Sequence, residues 1–240
     1  MLELAGKTAL VTGGARRIGR EIVLALAGAG CNVVLHHHAS PDAAAKTMQE
    51  AIALGVKAEI VTVDLRKPHA AEEIFAAVTG PVDLLVNNAA SFEATSFDDV
   101  SVDAWDAELA LNLRAPFFLC QAFVRQLSQA QPGAVVNVGD ARMAHPGSDH
   151  PVYRLTKSAL TTLTEDLALT LAPAVRVNEV ALGSILPPPG EGPDHLERLR
   201  QQIPLARTGG ITDVTEAVLF LLRSDFLTGV RIPIDGGQYL

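Results

Sequence analysis

Short apolar runs rich in β-branched residues alternate with longer helical patterns along the whole chain, and this alternation limits the possible folds more than any other feature. Strands are expected over residues 7–12, 32–37, 58–63, 84–86, 134–138, 175–180 and 230–234. Helices are expected over 18–28, 41–54, 70–78, 104–129, 152–171 and 213–222. Short strands separated by ten or more helical residues read as βαβ units. Such units build a parallel sheet that buries both faces, and 48% hydrophobic residues suit one. The expected fold is therefore α/β: a doubly wound, Rossmann-type parallel sheet of about seven strands with helices on both faces. No break in composition divides the chain, so residues 1–240 are expected to form a single domain. The Pro- and Gly-rich stretch 184–195 is the best candidate for a substrate loop. Pro187-Pro188-Pro189 stiffens part of it.

Composition excludes several classes of partner. The net charge is −8 and the isoelectric point about 5.3, which favours neither nucleic acid nor a polybasic membrane anchor. No apolar stretch is long enough to cross a bilayer, and the N-terminus lacks the charged and apolar regions of a signal peptide. Cys31 and Cys120 lie far apart in apolar contexts and read as reduced, buried thiols. A cytoplasmic protein is expected.

The first chemical signal is Thr12-Gly13-Gly14-Ala15-Arg16-Arg17-Ile18-Gly19, which follows the first strand and opens the first helix. Glycines allow a tight turn and a close approach of backbone N–H groups to a pyrophosphate, which the helix N-terminus then stabilises. NAD-binding turns of this kind place an acidic residue at the end of the second strand, on the ribose 2′-OH. This chain has His36-His37-His38-Ala39-Ser40 instead. A 2′-phosphate meets no carboxylate there, and Arg16, Ser40 and a histidine, His36 or His38, offer donors, which favours NADPH. Adjacent strand residues point to opposite faces, so the triple histidine does not read as a metal site, and none is expected. Asp64, with Leu65 after it, ends the third strand and suits either an adenine amino group or a turn cap. Asn87-Asn88-Ala89-Ala90 ends the fourth strand, at the edge where ligands bind in such sheets.

Thr12-Gly13-x-x-x-x-x-Gly19, Asn87-Asn88-Ala89, Asn112, Tyr153-x-x-x-Lys157 and Ile234-Asp235-Gly236-Gly237 together resemble the short-chain dehydrogenase/reductases. The resemblance spans essentially the whole chain. Three departures narrow it towards the pteridine reductases, including the dihydromonapterin reductase type. Arg17 replaces the middle glycine, Asp140 stands where a catalytic serine is usual, and Phe92 follows as Asn-Asn-Ala-Ala-Ser-Phe. The resemblance implies that Arg17 reaches the pyrophosphate and substrate, that Ser91 and Phe92 contact the substrate with Phe92 stacked on the pterin, and that Asp140 and Tyr153 flank the reacting edge. It also implies cofactor contacts from Ile18, Asn88, Ala89, Gly183, Ser184 and Ile185, a water held by Asn112, ribose contacts from Lys157, and a homotetramer packed through the helices near 104–129 and 152–171. The chain departs from this narrower pattern at Ala39, at Ala90 and at Ala181-Leu182-Gly183-Ser184.

Tyr153 and Lys157 are four apart on a helix and share a face. A nearby ammonium eases proton donation from tyrosine, whose free pKa is about 10. Asp140 bears on the choice of substrate. A serine hydroxyl donates to a carbonyl oxygen, whereas a carboxylate only accepts. Beside an oxygen gaining negative charge a carboxylate is repulsive, while beside a pterin it meets amino and ring N–H donors. The expected activity is NADPH-dependent reduction of a 7,8-dihydropterin at a C=N bond, with dihydrofolate as a further candidate substrate. Two alternatives remain: a 3-oxoacyl thioester or other carbonyl reductase, and a non-catalytic NADP(H) sensor, against which the intact Asn112, Tyr153 and Lys157 set argues.

Overall fold

A computed structural model describes residues 1–93, 95–127, 132–187 and 193–240. In chain order these hold β1 (Thr8–Val11), α1 (Arg17–Gly28), β2 (Asn32–His37), α2 (Pro41–Ala53), β3 (Ala58–Thr62), α3 (Ala70–Ala77) and β4 (Leu84–Asn87). After these come α4 (Val102–Leu109), α5 (Ala115–Gln126), β5 (Gly133–Asp140), α6 (Pro151–Leu171), β6 (Val175–Leu182), α7 (Pro193–Arg200), α8 (Ile211–Arg223) and β7 (Arg231–Ile234). Among the described residues, seven parallel strands form one sheet in the order β3-β2-β1-β4-β5-β6-β7. The order reverses between β1 and β4, and ligands bind outside the carboxyl ends of the strands at such a switch point.

Both faces of the sheet are buried. Ala9 and Val11 of β1 join a core with Ile22, Leu26 and Leu221 from α1 and α8. Leu10, between them, joins a second core with Ile74, Leu119 and Phe123 from α3 and α5. The two-residue period of the strand thus feeds one core on each side. No helix among the described residues is long and apolar enough to cross a membrane. Cys31 and Cys120 are buried and unpaired, and burial pushes their thiols up to about 11 and about 12 respectively.

Two expectations differ from the structure. The helix expected over 104–129 is interrupted by a π-helical turn, Ala110–Arg114, between α4 and α5. One extra residue in the helical repeat turns Asn112 inward at the site, a common use of π-bulges. Residues 128 and 129 of that expected helix lie outside the described residues. Part of the expected loop 184–195 is helical, since α7 begins at Pro193, while 188–192, with Pro188 and Pro189, lie outside the described residues.

Candidate active site

The glycine turn leaves β1 and enters α1. Gly13 has φ +65°, and a Cβ there would sit 3.0 Å from Asn88 Nδ2. A Cβ on Gly19 would lie 2.1 Å from the Gly13 carbonyl oxygen, so only glycine allows this approach. Arg17 occupies the left-handed region, at φ 52°, where a glycine is usual. Its guanidinium reaches across and donates to the carbonyl of Pro187 at 2.6 Å, tying the turn to the start of the 184–195 segment. The N-terminal turn of α1 has no side-chain cap and no acidic residue among the described residues, which leaves its N–H groups to an anion. Arg16 and Ile18 flank it, Arg16 exposed.

Of the three histidines, two face inward. His36 Nδ1 accepts from Gly13 N–H at 3.3 Å, and Nε2 lies 2.9 Å from the Val63 carbonyl. Burial pushes His36 down to about 4, so it stays neutral and braces the glycine turn. His37 takes the Ser40 N–H on Nδ1 and meets Thr62 Oγ1 at 3.1 Å. His38 and Ala39 are exposed, with Ser40 half-buried beside them. Asp64 accepts from Arg66 N–H at 3.0 Å, as a turn cap does, and its other oxygen stands 3.9 Å from His38 Nε2. Leu65 is buried. Asn88 is a strut: its side chain donates to the Thr12 carbonyl at 2.9 Å, and the Thr12 hydroxyl takes the N–H groups of Asn88 and Ala89.

Asp140 ends β5, and Tyr153 and Lys157 lie in the first two turns of α6. The Tyr153 hydroxyl donates to Asp140 Oδ2 at 2.9 Å. Burial first, then the charge and hydrogen bond of Asp140, hold the Tyr153 hydroxyl well above its ordinary range, while Arg142 opposes this. Tyr153 is thus a protonated donor. Lys157 is buried and donates to the Val138 carbonyl at 2.8 Å. Burial lowers it to about 8, against the charges of Asp140 and Glu179. Asn112 clasps the segment after β4: it accepts from Ser91 N–H at 2.9 Å, donates back to the Ser91 carbonyl at 3.1 Å, and reaches Thr156 Oγ1 at 3.2 Å. Phe92 next to it meets the Tyr153 ring edge-on at 4.8 Å and packs against His150 at 4.1 Å. On the far side, Gly183 N–H donates to the Ile234 carbonyl, Ser184 donates to Gln238 Oε1 at 2.9 Å, and Ile185 is buried.

Sequence reasoning missed Arg142. Its backbone N–H donates to Asp140 Oδ1 at 2.8 Å, and its Nη2 reaches Asp140 Oδ2 at 3.3 Å. The guanidinium lies 5.0 Å over the Phe92 ring and also pairs with Asp149, which Arg154 shares. A basic residue two positions after Asp140 was the available signal, because a strand-end aspartate caps the turn that follows it.

The model of the short chain dehydrogenase family matches residues 7–191. The chain is a short-chain dehydrogenase. As a member of this family it is an oxidoreductase. It is 39% identical to L-xylulose reductase of Bos taurus over 98% of both chains. It is 33% identical to the 3-oxoacyl-[acyl-carrier-protein] reductase FabG of Staphylococcus epidermidis, over 98% of this chain and 99% of that one. Among solved structures it is similar to the FolM alternative dihydrofolate reductase 1 of Brucella canis complexed with NADP. That match has a TM-score of 0.91 and 34% identity over 99% of this chain and 95% of the other.

Proposed function

We propose that this short-chain dehydrogenase is an NADPH-dependent reductase of pterins, converting a 7,8-dihydropterin to the tetrahydro form, with dihydrofolate in the same substrate class. The observation that carries this reading is the Tyr153–Asp140 hydrogen bond in place of a serine donor. The glycine turn and the open first turn of α1 fit a pyrophosphate, with Gly13, Ile18 and Gly19 in the cradle. Arg16, His38 and Ser40 would meet a 2′-phosphate, and no carboxylate ends β2. Asp64 and Leu65 would hold the adenine, and Asn88, Ala89, Gly183, Ser184 and Ile185 the nicotinamide side. His36 serves from behind, by holding Gly13.

NADPH, when bound, supplies the hydride that goes to the carbon of the C=N bond. Tyr153 gives its proton to the nitrogen, so the π bond of C=N is replaced by one C–H and one N–H bond. Asp140 keeps that proton on Tyr153 until transfer and accepts from the substrate's N–H groups. Lys157 would hold the ribose and stabilise the phenolate left on Tyr153, and Asn112 fixes the Ser91–Phe92 wall. Phe92 supplies an aromatic surface for a flat ring, and Arg17, held on the Pro187 carbonyl, borders the substrate side.

A carbonyl reductase is the second reading. The names of the relatives favour it, and so does Arg142, which shares the charge of Asp140. NADPH oxidation measured side by side with a 7,8-dihydropterin and a 3-oxoacyl thioester separates the two. The proposal expects the dihydropterin to have the higher kcat/KM, and turnover of the thioester alone sinks it.

A homotetramer accords with a groove of about 860 Å3 along α4, α5 and α6. Leu109, Leu113, Phe117, Phe118 and Leu163 line it, with Arg114 and Asp166 of opposite charge at its edges. Phe117 and Phe118 are 41% and 36% exposed, a large apolar surface for a monomer to leave in water. A second copy of the chain is the occupant proposed. Sedimentation velocity is expected to show four 25.3 kDa subunits, and a monomer would refute the assembly. A cytoplasmic location accords with the two unpaired, buried thiols.

A further inference from the structure

Glu179 is the one wholly buried acid of β6, and the mechanism above makes no use of it. It is 0% exposed, and its Oε2 has no hydrogen-bond partner among the described residues. Its carboxylate fills the space beside Gly139: a Cβ there would lie 2.0 Å from Glu179 Oε1. Arg231, on β7, donates from Nε to Glu179 Oε1 at 3.3 Å. Its Nη2 also donates to the carbonyls of Asp140 at 3.1 Å and Ala141 at 3.4 Å. Three consecutive residues of β5 therefore meet three charged groups: the Val138 carbonyl accepts from Lys157, Gly139 packs against the Glu179 carboxylate, and the Asp140 carbonyl accepts from Arg231. Burial pushes the Glu179 carboxyl up, and Thr161, Arg231 and the Lys157 charge oppose that push and favour the carboxylate.

We propose that the Glu179–Arg231 pair is a positioning device for the reacting set: Glu179 supplies negative charge that keeps Lys157 an ammonium, and Arg231 fastens that carboxylate to the backbone carrying Asp140. The groups facing Lys157 are Asp140 from β5, Glu179 from β6 and Tyr153 from its own helix. Those facing Glu179 are Thr161 and Lys157 from α6 and Arg231 from β7. The proposal rests on assigning Lys157 to the reaction, and the test separates the two claims.

Lys157 titrates near 8 in the folded chain, against 10.5 when unperturbed. The unfolded chain therefore binds more protons between these values, and stability rises with pH there. In Glu179→Gln the ammonium loses a partner and the folded value drops further. The Tm deficit of the variant in the cofactor-free protein is expected to be largest below about pH 7 and to be lost as pH rises through about 8 to 9. In a Lys157→Met background the same substitution should give a deficit that does not change with pH over this range. A pH-independent deficit in the parent background, or an unchanged pH dependence in the Lys157→Met background, overturns the proposal. The alkaline limb of kcat/KM should move down by on the order of one pH unit in Glu179→Gln and stay near the parent's in Glu179→Asp, which keeps the charge. A purely structural role would harm both variants alike without moving the limb. If the Tm coupling is present and the limb stays, Lys157 is not part of the reaction, and the positioning role is overturned with that assignment.

Discussion

Replacing Tyr153 by Phe is expected to lower turnover by about 10²–10⁴-fold, the usual range for loss of a positioned general acid. The ring keeps its place, because its packing against Phe92 and its burial do not depend on the hydroxyl. Asp140 keeps two donors from Arg142, so the carboxylate is not left bare. NADPH binding should survive, which separates loss of the acid from loss of the fold. Rate measurements with saturating NADPH, beside a binding titration, read both. A variant with undiminished turnover would remove Tyr153 from the chemistry, whereas NADPH binding with no turnover even in the parent would bring the NADP(H) sensor reading back.

Replacing Asp140 by Ser has the second large effect, and it has opposite signs for two substrates. Asp140 accepts the Tyr153 proton and caps Arg142 N–H. Serine can still cap the turn, so the local fold should hold. What changes is electrostatic. Serine offers a donor where a carboxylate offered only acceptors. A pterin loses the partner of its N–H groups, and Tyr153 loses the anion that keeps its proton in place. The activity with a dihydropterin should fall by about 10²–10³-fold, the range for losing one preorganised polar group. A 3-oxoacyl thioester, whose oxygen gains negative charge, should be reduced faster than by the parent. Arg142 moderates the contrast, because its guanidinium already offsets part of the Asp140 charge at 3.3 Å.

Much of this was legible in the sequence, because it depends on local period and turn chemistry. The strands of β1, β2 and β4 are short apolar runs, and their neighbours in the sheet follow from the βαβ rule. The glycine turn, Tyr153 and Lys157 fall where their spacing put them, and the Tyr153–Asp140 contact joins residues 13 apart in the chain. The π-helical turn at Asn112 was not legible, because an inserted residue leaves the apolar pattern of 104–129 nearly unchanged. Nor was the inward turn of His36, since a histidine ending a strand offers a donor to solvent or to the backbone equally well. The Glu179–Arg231 pair joins residues 52 apart on adjacent strands. Its signal was a lone acid in an otherwise apolar strand, which acquires meaning only once the sheet sets it behind Gly139 and Lys157.

The most direct test of the central claim is the ratio of kcat/KM for a 7,8-dihydropterin to that for a 3-oxoacyl thioester, in the native chain and in Asp140→Ser. A native ratio well above one, falling by about 100-fold or more in the variant, is the predicted result. A native ratio below one, or a ratio that Asp140→Ser leaves unchanged, would contradict the account, because the carboxylate beside Tyr153 would then have no say in which bond is reduced.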